Sequence, residues 1–154
     1  MKNEAMTMEH HLTWAWFDFD QLSLQDLYDS LQLRAEVFVV EQDCPYLDPD
    51  GKDQESRHFL GKSEDKLLGY ARAYEDEQGT WLGRIVTSSQ LRGMGAGSEL
   101  MKKAVQDLRP DRPILMHAQN HLTKFYSRFG FERSGDVFLE DGIPHILMIR
   151  QPKA

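Results

Sequence analysis

The chain has 154 residues with 18 Lys+Arg against 25 Asp+Glu, a formal charge of −7 and 40% hydrophobic residues. With a pI near 5.3 and a mean hydropathy of −0.57, these values suit one soluble domain spanning 1–154, long enough to bury roughly 68–70% of its unfolded surface without metal or disulfide staples. No run of 18 apolar residues is present, which excludes a membrane-spanning helix. The acidity argues against a general nucleic-acid binder, which needs clustered Lys/Arg to displace phosphate counterions. The first twelve residues lack the basic-then-apolar layout of a secretory signal, and the single cysteine, Cys44, suits a reducing compartment; the expected location is the cytoplasm.

The predicted elements run as follows. Leu12–Phe19 alternates apolar and polar residues around Trp14, Trp16 and Phe17 and predicts a strand. Ser23 opens a helix with Asp26 as its capping partner, and Leu24, Leu27, Tyr28 and Leu31 repeat at helical spacing towards about Phe38. Asp43–Arg57, with Pro45, Pro49 and Gly51, reads as a long loop. His58–Gly61, Leu67–Tyr74 and Trp81–Val86 are three successive strands, an antiparallel meander. Leu100, Met101, Ala104, Val105 and Leu108 form the apolar stripe of a helix that stops before Pro110. A buried strand at Ile114–Ala118 precedes a short helix carrying Leu122, Phe125, Tyr126 and Phe129, stopped by Gly130. Phe131–Phe138 and Ile146–Ile149 are two final strands around a turn at Glu140–Pro144. The order β-α-β-β-β-α-β-α-β-β defines an α+β, mixed α/β sheet domain without internal repeats.

Charge is unevenly spread. Arg84–Arg112 holds six basic and three acidic residues, a balance of +3 that leaves −10 for the remainder. The densest acidic block is Glu41–Glu55, with six carboxylates and Lys52 as the lone cation. One segment is prepared for an anion, and the rest attracts cations or simply keeps the surface soluble. Within the basic segment, Arg92-Gly93-Met94-Gly95-Ala96-Gly97-Ser98 follows a strand and opens a helix. Alternate glycines uncover backbone N–H groups, the helix start adds a positive dipole end, and Arg92, Lys102 and Lys103 add charge, so the turn suits phosphate. It lacks the Gly-Lys-Ser/Thr of a P-loop and has Leu100 where Rossmann spacing needs glycine.

This turn, together with Gly83-Arg84-Ile85-Val86-Thr87 and Asn120-His-Leu-Thr-Lys-Phe-Tyr-Ser-Arg-Phe-Gly-Phe131, resembles the GNAT superfamily of acyl-CoA-dependent N-acetyltransferases. Arg34-Ala-Glu-Val-Phe-Val-Val-Glu-Gln42, Cys44-Pro-Tyr46, Asp48-x-Asp50-Gly51, Arg57-His58, Ala118-Gln119-x-His121-Leu122 and Glu140-Asp-Gly-Ile-Pro-His-Ile146 are similar to its ElaA branch, and the resemblance covers about residues 12–150. It implies a GNAT-like fold in which acetyl-CoA lays its pyrophosphate on Arg92–Ser98 and its pantetheine arm along Ile85, Val86 and Thr87, beside a bulge that the sequence does not reveal. It also implies that Asn120 touches the cosubstrate, that Tyr126 protonates the departing thiolate, and that a strand N–H near Val86 or Thr87 polarises the carbonyl. By periodicity alone Tyr126 is equally a core tyrosine packed with Phe125 and Phe129.

The reaction implied is direct attack of a primary amine, a small molecule, on acetyl-CoA in a ternary complex. The alternatives are a non-catalytic acyl-CoA-binding module on the same scaffold and a transferase of a longer acyl group. Candidate bases are His58, His117, His121, His145, Glu41 and Glu55, with His58, which follows the acidic loop, and His145, in the ElaA-like Gly-Ile-Pro-His-Ile turn, foremost. Arg34, Glu41 and Asp50 are candidates for the acceptor site, with the whole Glu41–Glu55 loop as its acidic wall; Arg34 and Glu36 are equally an ordinary helix-face pair. Cys44 has no base in its local sequence and reads as a structural thiol. His117 and His121 lack the His-Glu-x-x-His glutamate, and Asp48–Phe59 lacks calcium-loop spacing, so no metal is expected. A homodimer is compatible with the resemblance.

Overall fold

The computed structural model describes residues 11–152. Seven strands form one mixed sheet: β1 Thr13–Asp18, β2 Arg57–Ser63, β3 Lys66–Glu75, β4 Thr80–Thr87, β5 Ile114–Gln119, β6 Glu132–Glu140 and β7 Ile143–Arg150. Their order is β1-β2-β3-β4-β5-β7-β6, antiparallel throughout except for the parallel β4–β5 pair. Three helices flank it: α1 Leu24–Arg34, α2 Ala96–Gln106 and α3 Thr123–Ser127. Each predicted strand and helix is present, with ends displaced by a few residues. Among the described residues no helix is long and apolar enough to cross a membrane.

Side-chain alternation sorts the core into two layers. Phe59 and Ala71 join Leu100, Met101 and Ala104 of α2 on one face, whereas their neighbours Leu60 and Tyr70 join Leu33 of α1 on the other. On β1, Trp14 lies against Gly61 and stacks on Phe59 with ring centroids 5.2 Å apart. A Cβ built at Gly61 would fall 2.4 Å from the Trp14 ring, so the bare backbone there is what admits the indole.

Helix α1 is capped as its sequence predicts, the Asp26 N–H donating to Ser23 Oγ at 3.0 Å. It does not run on to Phe38 as an α-helix. From Ala35 to Glu41 the chain widens into a π-helical turn, in which the Gln42 N–H reaches back to Val37 O and the Cys44 N–H to Val39 O. The branched run Val37-Phe-Val-Val40 crowds a tighter helix, and the wider turn carries Val37, Phe38 and Glu41 over the sheet.

An irregularity that shapes the site lies in β4. Tyr70 pairs with Val86 but Arg72 with Gly83, so β4 carries one residue more than β3 between those pairs, and Arg84 takes a φ of +51°. Leu82 therefore faces α2 while Val86 faces α1, although even spacing would put both on one face. The β4–β5 ladder ends at Thr80↔Ile114 and Trp81↔Leu115. Beyond it the parallel strands diverge.

Candidate active site

The divergence opens a cleft of about 450 Å³. Leu82–Thr87 line one side and Met116–Gln119 the other, the π-turn residues Val37, Phe38 and Glu41 border it, and Leu122 and Tyr126 reach it from the α3 region. Glu140, Asp141, Ile143 and His145 of the β6–β7 hairpin close one end. Past Trp81, the edge of β4 that faces β5 has no strand partner among the described residues. An extended amide-containing chain could pair with it as a further strand.

At the opposite end stands the glycine turn. Gly93 and Gly95 hold φ of +80° and +76°, which glycine adopts freely, and α2 begins at Ala96 directly after. Nothing lies within 4 Å of a Cβ built at Gly93, so the backbone there is open to a ligand. Arg92 forms an ion pair with Glu41 across the turn. A further cation that sequence reading missed, Arg128, donates from Nη2 to Ser98 Oγ at 3.2 Å while its guanidinium lies over Phe125 and Phe129. Asn120, expected to touch the cosubstrate, is not among the residues that line the cleft, and its buried Oδ1 accepts no hydrogen bond among the described residues. Turn and unpaired strand edge together fit the phosphates and amides of acyl-CoA.

Tyr126 lines the cleft with its ring packed edge-on to Phe125 and Phe131. Burial pushes its phenol up to about 12, so it carries its proton across the neutral range. The expected core tyrosine and the expected cleft tyrosine are thus one residue: the ring fills the core and the same side chain borders the cavity.

The base candidates separate cleanly. Glu41, His117 and His145 line the cleft; His58, His121 and Glu55 do not. His58 requires correction as a base. It is 1% exposed, its Nε2 donates to Asp53 O at 2.8 Å and its Nδ1 accepts from the Tyr70 hydroxyl at 2.7 Å, so both ring nitrogens are committed. Burial holds it below the usual histidine range, and it stays neutral.

Two acceptor-site expectations also need correction. Arg34 is fully buried, with Nε 2.7 Å from Asp48 Oδ2 and Nη1 2.9 Å from Asp53 Oδ1, and has no surface to offer an amine. Asp50 is held by Arg72 at 2.8 Å and by Arg84, which, together with the Lys52 N–H, keep its carboxyl far below the usual range despite partial burial. Arg84 also binds Asp48, its Nε donating to Oδ1 at 2.8 Å. Asp48, Asp50 and Asp53 are therefore internal counter-charges for Arg34, Arg72 and Arg84, rather than a wall of the cleft. Of the acidic block, Glu41 is the carboxylate that borders the cavity, and it pairs with Arg92 beside the glycine turn.

A residue not singled out from sequence is Glu140. It lies between His117 and His145 and is kept below the usual carboxylate range chiefly by the hydrogen bond from His117. The signal was present: Asp141-Gly142 forms a two-residue turn with φ of +52° and +77°, which fixes the hairpin register and sets Glu140 diagonal to His145. Cys44, also in the cleft wall, donates its thiol to Asp141 O at 3.2 Å and ties the acidic loop to that turn. Among the described residues no cluster of three or more His, Cys, Asp or Glu side chains is arranged to hold a metal ion.

A mixed sheet split at a bulged fourth strand, with a glycine-rich helix start at one end of the split, defines a GNAT acetyltransferase fold. The description "Acetyltransferase (GNAT) domain" matches residues 25–151, and the chain belongs to that family. The family uses acyl-CoA as cosubstrate. Protein ElaA of Escherichia coli is 43% identical over 148 residues, covering 91% of this chain and 97% of ElaA. The crystal structure of E. coli ElaA superposes with a TM-score of 0.85, covering 90% of this chain and 99% of that one. An acyl-CoA N-acyltransferase from Pseudomonas aeruginosa, 41% identical, matches with the same TM-score over 91% of this chain and 99% of its own.

Proposed function

We propose that this protein transfers the acetyl group of acetyl-CoA to the nitrogen of a small primary amine, with both substrates bound at once. The observation that carries the proposal is the single cleft in which a protonated phenol, Tyr126, and two histidines, His117 and His145, border the same cavity below an unpaired strand edge. When bound, acetyl-CoA supplies an electrophilic thioester carbonyl and a sulfur that leaves as thiolate. The N–H groups of Arg92–Ser98, the start of α2, Arg92 and Arg128 hold its phosphates. The free edge at Ile85, Val86 and Thr87 pairs with its amides, and an N–H of Val86 or Thr87 polarises the carbonyl. Tyr126 gives its proton to the sulfur, and His145 removes a proton from the amine so that the nitrogen lone pair can attack. Holding amine and thioester on one surface removes the entropic part of the barrier, and no acyl-enzyme is required. The free thiol of Cys44 suits a cytoplasmic setting.

A non-catalytic acyl-CoA-binding module would use the same turn and strand edge but would have no use for a phenol kept protonated in the cleft. Following free thiol release from acetyl-CoA across a panel of primary amines, with Tyr126→Phe alongside, separates the two. Turnover in the native protein with kcat reduced about 10²-fold or more in Tyr126→Phe supports transfer. Turnover unaffected by the substitution removes Tyr126 from the reaction. Thermal stabilisation by millimolar acetyl-CoA without thiol release on any amine favours the binding module, and no stabilisation by either CoA or acetyl-CoA rejects both readings.

A further inference from the structure

The β6–β7 hairpin and β5 bring three titratable side chains into one row. His145 Nδ1 lies 2.7 Å from Ile143 O, an oxygen that only accepts, so Nδ1 carries hydrogen in either protonation state and Nε2 is the atom that gains or loses a proton. That Nε2 lies 3.6 Å from Glu140 Oε2. The other carboxylate oxygen, Oε1, lies 3.2 Å from His117 Nδ1. The arrangement is graded: the His145 side chain is 10% exposed, and those of Glu140 and His117 are each 43% exposed. Phe138, stacked along His145 and edge-on to His117, with Trp81 edge-on to the far side of His117, restricts both imidazole planes.

We infer that Glu140 is the positioning residue of the acyl-transfer site, bridging the two histidines so that the buried His145 Nε2 is the proton acceptor for the incoming amine. The inference rests on the amine-acyltransferase reading. In the step, an ammonium N–H bond breaks, its electron pair stays on the amine nitrogen, and the proton forms a bond to His145 Nε2. The new imidazolium sits against the Glu140 carboxylate, and the proton passes to water at the cleft mouth when product leaves. His117 locks the bridge from the solvent side by donating its Nδ1–H to Oε1, and the Asp141-Gly142 turn fixes where Glu140 starts. The other ionisable groups bordering this end are Arg84 of β4, Tyr126 of α3, Asp141 of the turn, and Cys44 and Tyr46 of the acidic loop. Arg84 is already engaged by Asp48 and Asp50, and burial holds the Tyr46 phenol up at about 12, so that phenol keeps its proton near neutrality. A base oriented by a third group, itself held in place, is the arrangement that activates a nucleophile.

The test compares the native protein with Glu140→Gln and Glu140→Asp, using acetyl-CoA and ethanolamine, putrescine, tryptamine and lysine as acceptors. In Glu140→Gln the acidic limb of the kcat/KM profile should move to lower pH, because the carboxylate that favours the imidazolium is gone. KM for acetyl-CoA should stay within about twofold, and Glu140→Asp, which keeps the charge on a shorter arm, should fall between the two. The imidazole C–H resonances of His145 should titrate with the same displacement in the absence of any amine. An acidic limb that stays in place in a stably folded Glu140→Gln overturns the inference, whether or not the resonances move. Should Glu140→Gln fail to fold, an acidic limb unchanged in Glu140→Asp overturns it equally. If the native protein releases no thiol with any of the four amines, the fault lies with the transfer reading, and the resonances decide the bridge: a displaced His145 midpoint upholds it and an unmoved one overturns it.

Discussion

Asp53 decides whether the acidic loop serves the fold or the acceptor. Its Oδ1 receives Nη1 of Arg34 and Nη1 of Arg72, each at 2.9 Å, and both guanidiniums are buried. Removing one partner of a buried ion pair costs about 3–5 kcal/mol because the remaining charge stays out of water. In Asp53→Asn, Arg34 keeps Asp48 and Arg72 keeps Asp50, so the cost belongs at the lower end, about 3 kcal/mol. For a chain of this size each kcal/mol moves the melting temperature by about 2–4 °C, which gives a fall of about 6–12 °C at pH 7. The hydrogen bonds and charges of Arg34 and Arg72 outweigh desolvation and hold the Asp53 carboxyl below its ordinary range. Its stabilising contribution is therefore complete above the unfolded value of about 3.9 and is lost as pH drops towards the folded one. The difference between native protein and Asp53→Asn should hold from pH 7 to about 5 and close below about 4. Thermal melts followed by tryptophan fluorescence over that range measure it. A fall of under about 2 °C at pH 7, accompanied by a higher KM for the amine, would refute the reasoning and return the loop to the acceptor site.

Four further outcomes follow from the geometry. Arg92→Ala should weaken CoA binding about 10-fold or more in calorimetric titration, the worth of a charge-assisted hydrogen bond. Glu41→Gln releases Arg92 from its exposed ion pair and should tighten CoA binding by about two- to fivefold, and weaker binding would show that Glu41 supports the turn rather than competing for it. Gly61→Ala drives a methyl into the Trp14 ring and should cost about 1–3 kcal/mol in urea unfolding, part of which Trp14→Leu in the same chain recovers. Because burial keeps the Tyr126 phenol protonated to about 12, kcat should show no alkaline loss assignable to it below about pH 10.5; a midpoint near pH 9 that vanishes in Tyr126→Phe would contradict that environment.

Much of the fold was legible because burial imposes local periods. Alternation around Trp14 and Trp16, the helical spacing of Leu100, Met101 and Ala104, and the glycines after Arg92 each record which side of an element meets the core or turns the chain. The π-turn after Arg34 was not legible, since a branched run such as Val37–Val40 suits several backbones until packing selects one. The β4 bulge was hidden for a related reason. Arg84 is a common residue in an uncommon conformation, and what holds it there is a pair of aspartates more than thirty residues earlier in the chain.

Charge shows the division most clearly. The sequence by itself determined that one segment would be basic and another acidic, that the glycine turn would open a helix, and that Tyr126 would lie on a helix face meeting the core. Which charges met which was decided only in three dimensions. Coulomb attraction acts through space, so Asp48, Asp50 and Asp53 were free to pair with any cation the sheet brought near. The tertiary structure brought Arg34, Arg72 and Arg84, and set Glu140, to which the sequence assigned no role, between the two histidines of the cleft.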